Sequence, residues 1–335
     1  MYNAYNNRRY TITTPLTYTY MLLGCICCWI LEYIQSAGYP IYSEAYSTPL
    51  WNAVCQAIPN KAAAYLIGIV VMTGGAFLLH RANYILMLIR EKTLLPFLLY
   101  LLLISCNPDF IPLKSASMGV FCLVLAIYQL FTSYHDETAS KAIYNATLIL
   151  GAGSLLWIHL LWFVPVFWYG MYCFRSLSAR TFIASLLGVL TVYWLLLGWC
   201  VWQGDYTAFT VPFQSLFKIR LLQISPDYLI NAMGIIYLII LLLTASINIF
   251  THEYEDNLRT RQYLYFLMTL AIWSFALFFF YEQSSKELLE TVCMPAAILL
   301  GHFFTVQQRS KYIHWFFHGT VLFYFTLSFI RLWNF

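Results

Sequence analysis

The stretch AAAYLIGIVVMTGGAFLLHRANYILMLIREKTLLPFLLYLLLISCNPDF, residues 62–110, decides the fold. Its charges are confined to Arg81, to Arg90, Glu91 and Lys92, and to Asp109. Two runs, 62–80 and 92–106, are left almost wholly apolar. A helix that is apolar all round is buried either in a large core or in a bilayer, and a membrane span needs about 20 such residues. Composition decides for the bilayer. Of 335 residues 61% are hydrophobic and only 10% charged, with a mean hydropathy of +0.69. Soluble domains are about a quarter charged, so these charges cannot coat a water-facing surface and lipid must cover most of the exterior. Aromatics reach 19%, as befits side chains of the membrane interface. The net charge of +4 is small and no basic run marks the chain for nucleic acid.

Working outward from that stretch, further spans are predicted at 16–35, 115–133, 142–158, 160–174, 180–202, 227–249, 263–281, 289–306 and 312–332. The expected fold is all-α, a polytopic transmembrane bundle of about 11 spans forming a single integral membrane domain over residues 1–335. Arg8 and Arg9 precede the first span, and Leu22-Leu23-Gly24-Cys25 resembles a lipoprotein cleavage box. The apolar run continues through Cys27 to Leu31, so an uncleaved first span is expected. The nine cysteines lie mostly in apolar runs and read as small packing residues.

Ile143–Phe174 reads either as one kinked helix or as a hairpin of two. Cytoplasmic loops collect Lys and Arg. With a hairpin turning near His159, twelve of the 18 fall on one side: Arg8, Arg9, Arg81, Arg90, Lys92, Lys141, Arg175, Arg180, Arg259, Arg261, Arg309 and Lys311. The other six are Lys61, Lys114, Lys218, Arg220, Lys286 and Arg331. A single helix makes the division ten against eight, so the hairpin is preferred. The N-terminus is then cytoplasmic and the C-terminus outside.

The two longest connections, 36–61 and 203–226, both fall outside. In the second, Phe213, Leu216, Phe217, Ile219 and Leu222 are apolar while Lys218 and Arg220 are basic, a pattern for a helix lying in the headgroup layer. Among the outward acids, Glu44 in the first long loop and Asp109 in the short loop Asn107–Phe110 are candidates to accept a proton from a substrate hydroxyl or to bind a divalent metal. Each also reads as a solvated interfacial charge. His159 at the hairpin tip is a candidate substrate contact beside these loops. His314 and His318 share a helix face without a recognisable third ligand, so no metal site is assigned. Gly151-Ala152-Gly153-Ser154 is a small-residue patch for close helix packing.

Three stretches, residues 62–110 above, YNATLILGAGSLLWIHLLWFVPVFWYGMYCFRSLSARTFIASLLGVLTVYWLLLG (144–198) and SSKELLETVCMPAAILLGHFF (284–304), resemble an uncharacterised family of polytopic inner-membrane proteins of Bacteroidota. More distantly, one span followed by a long outer loop and a second acidic outer loop after span three looks like the C-type glycosyltransferase superfamily. That resemblance implies a polyprenyl-phosphate-linked sugar donor, with Glu44 or Glu32 as the first-loop carboxylate, Asp109 as the second, and Lys218 and Arg220 receiving the lipid phosphate. The acidic pair those enzymes carry directly after span one is missing here. Three functions stay open: a glycosyltransferase-like enzyme of the cell envelope in the bacterial inner membrane, a non-catalytic membrane subunit bound to other membrane proteins, and a transporter or flippase. Membrane lipid is the one partner common to all three; the cofactor is left unknown.

Overall fold

The computed structural model describes residues 11–36, 48–58, 60–204, 206–222, 229–308 and 310–333. Among these the elements are helices: α1 Pro15–Gln35, α2 Pro49–Ala57, α3 Lys61–Leu86, α4 Leu95–Ser105, α5 Ser115–Phe131, α6 Ser140–Ser154, α7 Val164–Cys173, α8 Ala179–Gln203, α9 Thr207–Phe217, α10 Leu229–Thr251, α11 Leu258–Phe280, α12 Ser285–Val306 and α13 Lys311–Trp333. Short 3-10 turns stand at Pro108–Phe110, Ile158–Phe163, Glu253–Glu255 and Glu282–Ser284. Local chemistry sets several starts. Thr14 caps α1 by accepting from the Thr17 N–H, with Pro15 at the first position. Ser178 and Thr181 form a capping box on α8.

Each predicted apolar segment falls on a helix. Seven helices, α1, α3, α8, α10, α11, α12 and α13, are long and apolar enough to cross a membrane, whereas α4, α5 and the Ile158–Cys173 segment are apolar but shorter. Two helices occupy the long connections, α2 in the first and α9 in the second. The exterior is apolar: Leu16, Val70, Trp194, Leu195 and Ile272 are each at least 67% exposed. So much exposed apolar surface aggregates in water and is at rest in lipid, which makes this the outside of a membrane protein.

The Ile143–Phe174 stretch is a hairpin. The His135 N–H donates to the Phe174 carbonyl at 2.9 Å, and the Ser178 hydroxyl to the Glu137 carbonyl at 3.2 Å. The chain that leaves at Ser140 has therefore returned to the same end by Phe174.

Cross-links of this kind sort the helix ends onto two faces. On face I, Thr13 meets Gln308, Gln308 meets Glu91, Arg90 meets Glu255 and Asp256, and Tyr263 reaches the Phe131 carbonyl. On face II, Lys61 donates to the carbonyls of Tyr33 and Ser36, Asp109 meets Lys286, and Arg331 donates to the Cys106 carbonyl. Between the faces runs α12, the interior helix, with 89% of its span buried against 22% for α1 and α8. It packs on α4, α5, α10 and α11.

The small-residue patch does what its composition predicts. A Cβ on Gly153 would stand 2.6 Å from Leu160 and 2.7 Å from Cys122. An even closer approach lies across the interface, at Gly188 of α8, where a Cβ would come 2.1 Å from Thr147 of α6.

Candidate functional site

The polar residues of face II gather around the corner where α11 turns into α12. Asp109 is carried there by the 3-10 turn Pro108–Phe110, which follows α4. Proline at its first position and the buried side chains of Phe110, Ile111 and Leu113 anchor the turn. The Leu113 N–H donates to the Ala64 carbonyl of α3 at 3.3 Å. Directly below lies Gly68, where a Cβ would stand 2.5 Å from the Ile111 carbonyl oxygen and 2.8 Å from the Leu113 nitrogen. Both are backbone atoms with no rotamer to move. Gly68→Ala is therefore expected to displace the Asp109 turn at a cost of about 1–3 kcal/mol. Its measure is a fall of the thermal midpoint in detergent; an unchanged midpoint would show that the loop is not seated on α3.

The Asp109 carboxylate pairs with Lys286 Nζ at 2.7 Å, both side chains partly exposed. Lys114 and Arg331 act on the same carboxylate. Burial by itself would raise the Asp109 pKa, but Lys114 and Lys286 outweigh it and hold the carboxyl below its ordinary value. Asp109 is thus an anion at neutral pH in a cation-rich setting. Arg331, in the last turn of α13, is buried and donates to the Cys106 carbonyl at 3.0 Å. It lines a small cavity of about 30 Å³ together with Asn107, Phe110 and Tyr324.

Glu32, in the last turn of α1, lies within electrostatic reach of Asp109, Lys61 and Lys114. Tyr65 bridges the Ser36 hydroxyl at 2.9 Å and Glu32 at 3.5 Å. The structure therefore brings together two of the candidate carboxylates, Glu32 and Asp109. The third, Glu44, lies outside the described residues.

Lys218 and Arg220 are placed differently from the expected amphipathic helix. α9 stops at Phe217, and the two basic residues follow in an extended segment laid against the end of α11. The Arg220 N–H donates to the Phe280 carbonyl at 3.1 Å, the Leu222 N–H to the Phe279 carbonyl at 3.1 Å, and the Glu282 N–H to the Arg220 carbonyl at 3.0 Å. Both basic side chains are exposed.

His159 is not at the hairpin tip. The chain turns at residues 155–157, and His159 is already buried in the following 3-10 turn. Its ring centroid sits 5.7 Å from Trp157 and 5.3 Å from Tyr281. It therefore touches the same corner from the interior and presents no surface to the acidic loops.

Three groups at this corner carry no sequence signal of their own. Lys286 is one lysine at a helix start. Glu287 accepts the Trp157 indole N–H at 2.9 Å. Glu290, fully inside the bundle, accepts from the Ser117 hydroxyl at 3.2 Å. The cysteines include a Cys-x-x-Cys spacing, Cys25 and Cys28, that the surrounding apolar run conceals; both are buried free thiols. The His314 and His318 rings touch at 4.4 Å, and His318 Nδ1 lies 2.6 Å from the Tyr20 hydroxyl. Among the described residues no three His, Cys, Asp or Glu side chains are placed to hold a metal ion.

The corner thus gathers Lys61, Lys114, Lys286 and Arg331 around Asp109 and Glu32, with Lys218 and Arg220 on the adjoining segment and Glu282, Glu287 and the buried Glu290 on the α11–α12 side; its exposed cations can receive a phosphate-bearing molecule. Comparison with protein-family models, with curated proteins and with solved structures found no match, so the reading of this site stands on its geometry.

Proposed function

We propose that the chain is a glycosyltransferase-like enzyme of cell-envelope biogenesis that takes a lipid-phosphate-linked sugar at face II. In this reading it crosses the bacterial inner membrane eleven times, and face II is the outer side. The observation that carries the chemistry is the Asp109 carboxylate, held ionised beside Glu32 and paired at 2.7 Å with a lysine that a substrate phosphate can take over. The side assignment is supported by charge. Of the twelve Lys and Arg assigned to the cytoplasmic side, Arg8, Arg9 and Arg309 lie outside the described residues, which leaves nine on face I against six on face II.

The lipid phosphate lodges over the Glu282–Ser284 turn, between Lys286 and the cations Lys218 and Arg220, where the first turn of α12 adds its N–H groups. When the phosphate draws Lys286 away, Asp109 loses one of the cations that depress its pKa, Lys114 remaining, and becomes a better base. An acceptor hydroxyl then attacks the anomeric carbon. Its proton goes to Asp109, and the lipid phosphate leaves with the electron pair of the broken C–O bond. Glu32 orients the acceptor.

General-base catalysis contributes about 10²–10⁴-fold, so Asp109→Asn is expected to reduce sugar transfer by about that factor. The assay uses membranes containing the protein, supplied with polyprenyl-phosphate-linked hexoses, at unchanged protein level. Full activity in that variant overturns the assignment. For the orientation, a cysteine placed at Asn257 should stay unlabelled by an impermeant maleimide in intact cells; labelling inverts the two faces.

A further inference from the structure

Helices α10 and α11 follow one another in the chain yet do not lie side by side. α10 leans on α12 and α13, and α11 on α12 and α7. The gap between them is a groove of about 660 Å³, walled by Ile239, Leu243, Ile272 and Phe275 and floored by Leu299 of α12. The volume is that of a small-molecule site. Leu243 and Ile272 are exposed along its rim, so the groove opens sideways into lipid.

Its two ends differ. At face I it stops on Phe250 and Tyr265, whose rings stack at 5.5 Å and 25°. Towards face II it reaches Phe279, and there the segment carrying Lys218 and Arg220 is hydrogen-bonded across the end of α11. From Tyr265 to Phe279 is fourteen residues, so at 1.5 Å per residue the groove runs about 21 Å along α11. A bilayer core is about 30 Å thick, and each leaflet about half of that. A chain seated over the whole groove therefore passes the midplane. An acyl chain of a face II phospholipid fills its own leaflet and leaves the deeper part empty.

We propose that the α10–α11 groove seats the isoprenoid chain of a polyprenyl phosphate, with its phosphate at the Lys218–Arg220 segment. Length selects the chain and charge selects the head. For the identity of the lipid this rests on the proposed function, and it adds where the chain lies and why a long one is preferred.

The test is lipid binding to the purified full chain in nanodiscs of zwitterionic lipid, read as the shift of its thermal midpoint on titration. A long polyprenyl phosphate should bind at least about tenfold more tightly than farnesyl phosphate, a difference of about 1.4 kcal/mol. Ile272→Trp, at an exposed rim position where the fold tolerates bulk, should remove that advantage. Arg220→Glu should weaken both. Equal affinity of the two prenyl phosphates, an Ile272→Trp variant that binds the long chain normally, or equal competition by phosphatidylglycerol would each overturn the assignment. Binding is read without turnover. Loss of long-chain selectivity with Asp109-dependent transfer intact sinks the groove alone; selective binding without any transfer activity sinks the enzyme reading alone.

Discussion

Gly188→Val is expected to leave little folded protein after extraction in mild detergent. A Cβ at this position would meet the Thr147 hydroxyl at 2.1 Å, the Tyr144 carbonyl oxygen at 2.7 Å and the Leu148 nitrogen at 2.9 Å. Two of the three are backbone atoms of α6. Thr147 cannot swing aside either, because it is fully buried with its hydroxyl on the Ile143 carbonyl at 3.0 Å. Overpacking costs about 1–3 kcal/mol where side chains can adjust, and more where they cannot. Here α6 and α8 must separate along the most extensive helix contact among the described residues. The control stands on the same helix: a Cβ on Gly198 meets nothing within 4 Å, so Gly198→Val should behave like wild type. Equal thermal midpoints for the two variants would contradict the close approach.

The second large effect lies at face I. Asp256 has a side chain only 2% exposed, and it accepts from Arg90 Nε at 2.7 Å while standing 3.1 Å from Nε2 of the equally buried His302. This one carboxylate ties the connection between α3 and α4 and the turn before α11 to the interior helix α12. Asp256→Ala leaves the Arg90 guanidinium and the His302 ring facing an emptied site, and breaking a buried pair costs about 3–5 kcal/mol. Arg90 is a third exposed, so the lower end is expected.

The same residue sets an acid limit. Burial would raise the Asp256 pKa, but His302 and Arg90 reverse this and hold it below the ordinary carboxylate value. A carboxyl depressed on folding contributes its full stability above the unfolded value, near 4, and loses it as pH falls through the lower folded one. The midpoints of wild type and Asp256→Ala should therefore be far apart at pH 7 and converge as the pH drops below about 4. A gap that persists in acid would mean that the loss is one of packing alone.

The helices were legible because their signal is local. A run such as Ala62–His80 announces itself by composition, and the α6–α7 hairpin follows from where Lys141, Arg175 and Arg180 must sit. Asp109 could be singled out as an acid in a short loop between apolar runs. Its partners could not: Lys286 and Arg331 stand far along the chain, and each looks like any interfacial cation. His159 is misplaced because the turn at residues 155–157 is closed on the carbonyl of Gly153, and a glycine inside an apolar run reads as a packing residue. Lys218 and Arg220 were expected on a helix because their apolar neighbours keep a helical spacing. The pairing of Arg220 with Tyr281 is a long-range choice, and periodicity does not encode it.

The interior position of α12 has a consequence for how the protein is made. Glu290 and His302 are each only 2% exposed in the finished bundle, and either one would face hydrocarbon if this helix entered the bilayer by itself, at a cost of several kcal/mol. The helices that shelter it, α4, α5, α10 and α11, are all synthesised earlier. Leaving the ribosome, α12 thus meets a receptor already built from its own chain, and its insertion is an act of tertiary assembly more than of partitioning into oil.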